Sequence, residues 1–160
     1  MVLLLALALV QAVRRGLVVR AIRAVDQRGN LFAPRGARLY AALSPRITRG
    51  IHGRVVADVV ELLGSDATAT VVDVGAGPGD LVRGLAARLP AAHVVGVEPS
   101  DAMRAIAAER GNAVVAGSAE ALPFPGASVD LVVSTLSAHH WPDPAAALRE
   151  LARILRPGGA

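Results

Sequence analysis

Residues 70–79 read TVVDVGAGPG, and this stretch decides the fold. TVVDV (70–74) is a short run dominated by β-branched residues, the composition of a buried strand. Glycines follow at positions 75, 77 and 79, and residues Gly79 to Leu89 have helix-forming character. A strand that breaks into glycines and re-forms as a helix lets the backbone turn sharply and approach a ligand, while the helix N-terminus presents N–H groups without intrahelical partners. The loop's peptide N–H groups are therefore expected to clasp that ligand.

The same rhythm continues downstream. HVVGV (93–97) reads as a second strand, with a helix from Ser100 to about Arg110. AVVAG (113–117) and VDLVVS (129–134) read as a third and a fourth strand. Asp143-Pro144 then caps a helix running to Arg156, with Leu148, Leu151 and Leu155 on one face, and Pro157-Gly158-Gly159 ends it. Short apolar strands alternating with helices imply an α/β fold, a Rossmann-like doubly wound parallel sheet with right-handed crossovers.

Upstream, residues 26–50 read as connecting chain because Gly29, Asn30, Pro34 and Gly36 are breakers. Ser44-Pro45 suits the start of a short helix. Ile51, Val55, Val59 and Leu62 recur at helical spacing, and Gly64 closes that helix. Met1–Val13 is almost wholly apolar, followed by Arg14 and Arg15 and then by LVVRAIRAV (17–25). The run falls short of the roughly 20 apolar residues that span a bilayer. Its basic residues also come after the apolar stretch, the reverse of a secretory signal, although Val10-Gln11-Ala12 resembles a cleavage site. The expected organisation is an apolar and basic N-terminal helix over 1–25, a linker with helices over 26–68, and a ligand-binding domain over 69–160. The first of these is a candidate for peripheral contact with a membrane surface.

Of the 160 residues 53% are hydrophobic but only 2% aromatic, so the core must be built from Ala, Val and Leu. All 17 basic residues are arginine, and cysteine is absent. That excludes disulfides, thiolate metal sites and a cysteine nucleophile, and fits a cytoplasmic protein. The net charge of +4 is unevenly spread. Residues 1–54 carry ten arginines against Asp26 alone, whereas the remainder carries seven arginines against twelve acids. The domain is acidic, so no nucleic-acid-binding face is expected on it.

Glu98 closes the second strand, nineteen residues after Gly79. A carboxylate there can accept hydrogen bonds from both hydroxyls of a ribose, which points to a nucleoside-type ligand across the carboxyl ends of the strands. A dinucleotide fingerprint would need glycine where Asp80 stands, and a carboxylate there is expected to repel a pyrophosphate, which disfavours a nicotinamide-dependent oxidoreductase. A phosphate-binding P-loop requires a lysine, and there is none.

VVDVGAGPGDL, VVGVEPS, GSAEALPFPGASVDLVVS, HHWPDPAAALREL and RILRPGG, in this order, closely resemble the class I S-adenosylmethionine-dependent methyltransferases, especially the small-molecule subgroup called methyltransferase type 11. The resemblance covers residues 69–159. It implies S-adenosylmethionine as cofactor and methyl transfer to a small-molecule acceptor. It also implies that Asp73, Gly75, Gly77 and Gly79 cradle the methionyl part and the sugar, and that Glu98 holds the ribose hydroxyls. Pro99, Ser100 and Met103 would line the nucleoside, Ser118 and Ala119 would lie beside the adenine, and Ser134 to Leu136 would border the methionyl group. The family commonly has Asp where Ser118 stands.

His139, after the fourth strand, is the candidate general base, whereas His140 and Trp141 read as packing or capping residues. His52 and His93 read as surface or helix-packing residues, and Tyr40 as a candidate cover for the cofactor. No metal site is expected from four scattered histidines. Asp130 reads as a residue serving the fold, and Glu120 receives no catalytic role. The family's sheet has seven strands, of which this chain is expected to supply the order 3-2-1-4. A cut-off or non-catalytic cofactor-binding fragment is therefore the alternative reading, with the edge of the fourth strand left bare. The oligomeric state is not legible.

Overall fold

A computed structural model describes residues 34–65 and 67–160. The N-terminal segment 1–25, with its expected helix and membrane contact, lies outside the described residues. The chain divides into two compact units, Met1–Arg49 and Gly50–Ala160.

In the described part of the first unit, helix α1 (Pro34–Leu43) buries Gly36, Ala37 and Ala41. The sequence reading treated Pro34 and Gly36 as breakers of a connecting segment. Pro34 instead occupies the first helical position, where its fixed φ is already helical and its missing N–H is not needed. Ser44 and Thr48 are buried polar residues. Both Thr48 N (2.9 Å) and Thr48 Oγ1 (3.1 Å) donate to the Ser44 carbonyl, which fixes the start of helix α2 (Pro45–Leu63).

The second unit carries the sheet. Strands β1 (Thr70–Val74), β2 (His93–Glu98), β3 (Val114–Ala116) and β4 (Leu131–Val133) are all parallel, in the order β3-β2-β1-β4. Register pairs Asp73 with Gly96 and with Val133. Helix α3 (Asp80–Arg88) follows β1, α4 (Asp101–Glu109) follows β2, and α5 (Pro144–Ile154) precedes the C-terminal turn. The fold is a Rossmann-like α/β sheet, as the sequence indicates.

Strand period places successive valines on opposite faces. Val71, Val94 and Leu131 pack on one face with Leu81, Val82, Leu85 and Leu89 and with Val56 and Val59 of α2. Val72, Val74, Val95, Val97 and Val129 pack on the other with Ala147 and Ile154 of α5. Of the expected α2 stripe, Val59 is buried and Val55 packs partly buried against the core, whereas Ile51 and Leu62 are exposed and Val56 joins the core instead. On α5, Leu148 is exposed and Ala147 and Ile154 take the core face.

The edge of β4 is not bare. Val129 N donates to Ile154 O and Arg156 N to Val129 O; Ala160 N donates to Asp130 O and Val132 N to Ala160 O. The turn that aligns these residues closes with Gly159 N on Arg156 O, and Gly158 takes a φ of +83°. Asp130 serves the same joint: Oδ2 accepts from Thr70 N (2.7 Å) and Oδ1 from Arg156 Nη1 (2.6 Å). No described helix is long and apolar enough to cross a membrane.

Candidate functional site

The carboxyl ends of β1, β2 and β4 converge on the glycine loop. Gly75, Gly77 and Gly79 have φ of +79°, +55° and +80°. Gly75 is doubly constrained, because a Cβ there would lie 2.3 Å from Ser137 Cβ. Ser137 Oγ (2.9 Å) and Ser134 Oγ (3.0 Å) both donate to the Val74 carbonyl, so the loop after β4 is fastened across the end of β1. Asn112 fastens the other side: its Nδ2 donates to Pro78 O at 2.8 Å, and a Cβ on Gly79 would lie 2.7 Å from Asn112 Cβ.

The loop amides are not held open for a ligand. Gly75 N and Ala76 N donate to Val97 O, Gly79 N to Ala76 O, and Gly77 N to Glu98 Oε2 at 3.0 Å. The expectation that these N–H groups clasp the ligand is therefore corrected. The loop offers close backbone approach, not an anion-binding nest of amides.

Two buried carboxylates face this loop. Glu98, 5% exposed, accepts from Gly77 N through Oε2 and from Ser100 N through Oε1 at 2.9 Å. Each oxygen thus retains lone-pair capacity. Asp73, 2% exposed, has an Oδ1 without a hydrogen-bond partner. Burial, and secondarily the charge of Glu98, push its carboxyl up to about 7. Among the described residues neither carboxylate has an ion-pair partner, so the strand ends carry uncompensated acidity suited to a cationic ligand group.

Asp80 behaves differently from its sequence reading. Its carboxylate pairs with Arg83 (2.9 Å) and with Arg110 (3.4 Å), so it does not stand as a bare charge against a phosphate.

The other expected positions are spread around this centre. Pro99 is exposed, Met103 is fully buried, and Ser118 is half-buried beside buried Ala119. Ser118 bridges to Ala121, and this loop is held by α5. Leu122 N donates to Glu150 Oε2 (2.9 Å), and Arg153 reaches Phe124 O and Leu122 O while pairing with Glu150. Ser134 follows β4 and donates to the Val74 carbonyl. His139 sits on an exposed 3-10 turn (Ala138–His140), its ring 3.9 Å from that of His140. Among the described residues no hydrogen bond joins His139 to the strand ends. Trp141 packs against the core beneath α5.

Sequence reasoning did not single out Asn112, Ser137 or the Glu150–Arg153 pair, and it read His52 as a surface or helix-packing residue, in line with its half-buried place on α2. His52 Nε2 lies 3.5 Å from Thr135 Oγ1, directly after Ser134. His52, Val56, Val59 and Leu63 fall at one helical face.

A family model described as a methyltransferase domain matches residues 72–160. An uncharacterized methyltransferase of Mycobacterium tuberculosis strain H37Rv is 39% identical over 104 residues, covering 64% of this chain and 42% of that protein. The ubiquinone/menaquinone biosynthesis C-methyltransferase of Methylobacterium nodulans is 33% identical over 133 residues, covering 77% of this chain and 53% of that protein. Among solved structures, a candidate S-adenosyl-L-methionine-dependent methyltransferase of Methanococcus maripaludis superposes with a TM-score of 0.72 at 29% identity, covering 80% of this chain and 61% of that one. The chain spans about half the length of these two sequence relatives.

Proposed function

This chain belongs to the methyltransferase family matched over residues 72–160, and from that premise we propose that it binds S-adenosylmethionine at the carboxyl edge of its sheet and transfers a methyl group to a small-molecule acceptor. The observation that carries the reading is the orphaned, buried Asp73 Oδ1 beside Glu98. Two acids without a cation suit a ligand that brings positive charge, as the sulfonium and ammonium groups of this cofactor do.

When bound, the cofactor supplies a methyl group already activated by positively charged sulfur. The residues of this chain bind and orient. Asp73, ionised, balances the ligand's positive charge. Glu98, already oriented by Gly77 N–H and Ser100 N–H, receives the two ribose hydroxyls on its remaining lone pairs. Gly75, Gly77 and Gly79 allow the close approach of the methionyl group and sugar; Pro99 and Met103 back the nucleoside; Ser118 and Ala119 flank the adenine. Ser134, on the Val74 carbonyl, borders the path to the acceptor. Most of the rate gain in such a site comes from holding the acceptor in line with the transferring methyl group.

Isothermal titration of the whole chain tests the reading. S-adenosylmethionine and S-adenosylhomocysteine should bind and NAD should not. Binding of NAD with no uptake of either adenosyl compound sinks it.

A further inference from the structure

His52 stands on α2 one turn before Val56, whose side chain would lie 3.2 Å from a Cβ placed on Gly84 of α3. The stripe His52, Val56, Val59 and Leu63 therefore runs along α3. The charge of Asp80, the first residue of α3, acts on the imidazole. Its Nε2 lies 3.5 Å from Thr135 Oγ1. Thr135 follows Ser134, which is fastened to the end of β1. His52 thus meets the loop after β4, which is fastened across the carboxyl end of β1. At 3.5 Å the contact with Thr135 is a weak one, and Nε2 is an acceptor when the ring carries its proton on Nδ1.

We propose that His52 is the proton acceptor of the reaction, and that the methyl acceptor carries its proton on oxygen or nitrogen. The inference rests on the S-adenosylmethionine reading given above. The acceptor's lone pair forms the bond to the methyl carbon, and the pair of the broken carbon–sulfur bond stays on sulfur. The acceptor's proton passes to the Nε2 lone pair. The products are the methylated acceptor, a neutral thioether and an imidazolium, which returns its proton to solvent because His52 is only half-buried. Burial lowers the affinity of His52 for a proton in the free protein, more than Asp80 raises it. The ring therefore starts neutral, as a base must, and Asp80 favours the imidazolium once it forms. His139 lacks this placement.

Two measurements test the proposal on the whole chain, with His52→Gln used to assign the ring resonances. First, NMR titration of the histidines is run with S-adenosylmethionine and with S-adenosylhomocysteine, after isothermal titration has shown that each binds. The cationic sulfur should move the His52 midpoint below its position with the neutral thioether, while His93, His139 and His140 titrate alike in both. Second, diethyl pyrocarbonate at pH 7 should acylate His52 in the free protein. Identical His52 midpoints in two saturated complexes overturn the proposal and leave the cofactor reading intact, as does resistance of His52 to acylation while His139 reacts. Failure of both adenosyl compounds to bind overturns the cofactor reading and this inference with it.

Discussion

Asp73 and Glu98 end adjacent parallel strands as buried acids; Glu98 has both oxygens on backbone amides, whereas Asp73 keeps one oxygen without a partner. The asymmetry separates their roles. Glu98 is oriented by two N–H donors, and its charge adds to burial in resisting ionisation of Asp73.

A stability that falls with rising pH follows. The Asp73 carboxyl titrates near 7 when folded against 3.8 as its ordinary value. Between these values the folded state keeps a proton that the unfolded state has lost, so unfolding becomes easier as pH rises, with the full cost reached above about pH 7. A shift of this size costs on the order of 4 kcal/mol at most. Asp73→Asn should remove that slope and raise the urea midpoint at pH 8, while weakening S-adenosylmethionine binding by about tenfold or more, since one charge contact is worth roughly 1.5–3 kcal/mol. Urea unfolding of both proteins at pH 5 and pH 8 decides it; parallel shifts in the two would refute the assignment.

Gly75 carries two separable constraints, its left-handed backbone and the absence of a Cβ against Ser137. Gly75→Ala should destabilise by about 2–4 kcal/mol, combining roughly 1–2 for the backbone with an overpacking term. Ser137→Gly carries its own cost, the lost bond to the Val74 carbonyl, but in its presence Gly75→Ala should cost only the backbone part. Strict additivity of the two substitutions in a double-mutant cycle would show that the side chains do not meet.

How much of this was legible depended on whether local pattern or long-range contact decides the feature. Thr70–Val74 has the same limits in sequence and structure, because a buried parallel strand declares itself by a continuous apolar run between a polar segment and glycines. β4 shrinks from the six residues read as VDLVVS to Leu131–Val133, since Asp130 turns to bond Thr70 and Arg156, and Ser134 turns to cap Val74. Half of the α2 stripe was legible, in Val55 and Val59; Ile51 and Leu62 also recur at helical spacing, and only packing against α3 selects Val56 in their place. The pairing of Asp80 with Arg110 spans thirty residues and leaves no periodic trace. The bonded state of the glycine-loop amides depends on Val97 and Glu98 in the neighbouring strand, which no local rule conveys.

The loop carrying Ser118 and Ala119 is governed from α5. Glu150 accepts from Leu122 N and pairs with Arg153, whose guanidinium also reaches two carbonyls of the loop. The hydrogen bonds from Arg153 and Leu122 hold Glu150 down to about 2. The clamp therefore persists from neutral pH to about pH 3 and is lost as pH falls through 2. Arg153→Lys removes the planar fork that serves carboxylate and carbonyls together. Amide exchange at Leu122 should speed up roughly tenfold in that variant, with little change at Val72, since local opening draws on local contacts. Equal acceleration at both amides would mean global destabilisation and no clamp.

Leu136, in the loop after β4, adopts a φ of +56° and leaves half of its surface exposed. For an L-residue with a Cβ this backbone costs roughly 1–2 kcal/mol, and little burial offsets it. Leu136→Gly relieves the strain but adds backbone freedom to the unfolded chain, worth about 0.5–1 kcal/mol in the opposite sense. The net change should be a thermal midpoint equal to the parent or higher by about 2–4 °C. Leu136→Val tests the same geometry from the other side, because a β-branched residue fits the left-handed region worse than leucine. Its midpoint should fall below both. If Val and Leu give the same midpoint while Gly lowers it, the left-handed turn is not enforced by Ser134 and Ser137 on the Val74 carbonyl, and the loop takes another shape.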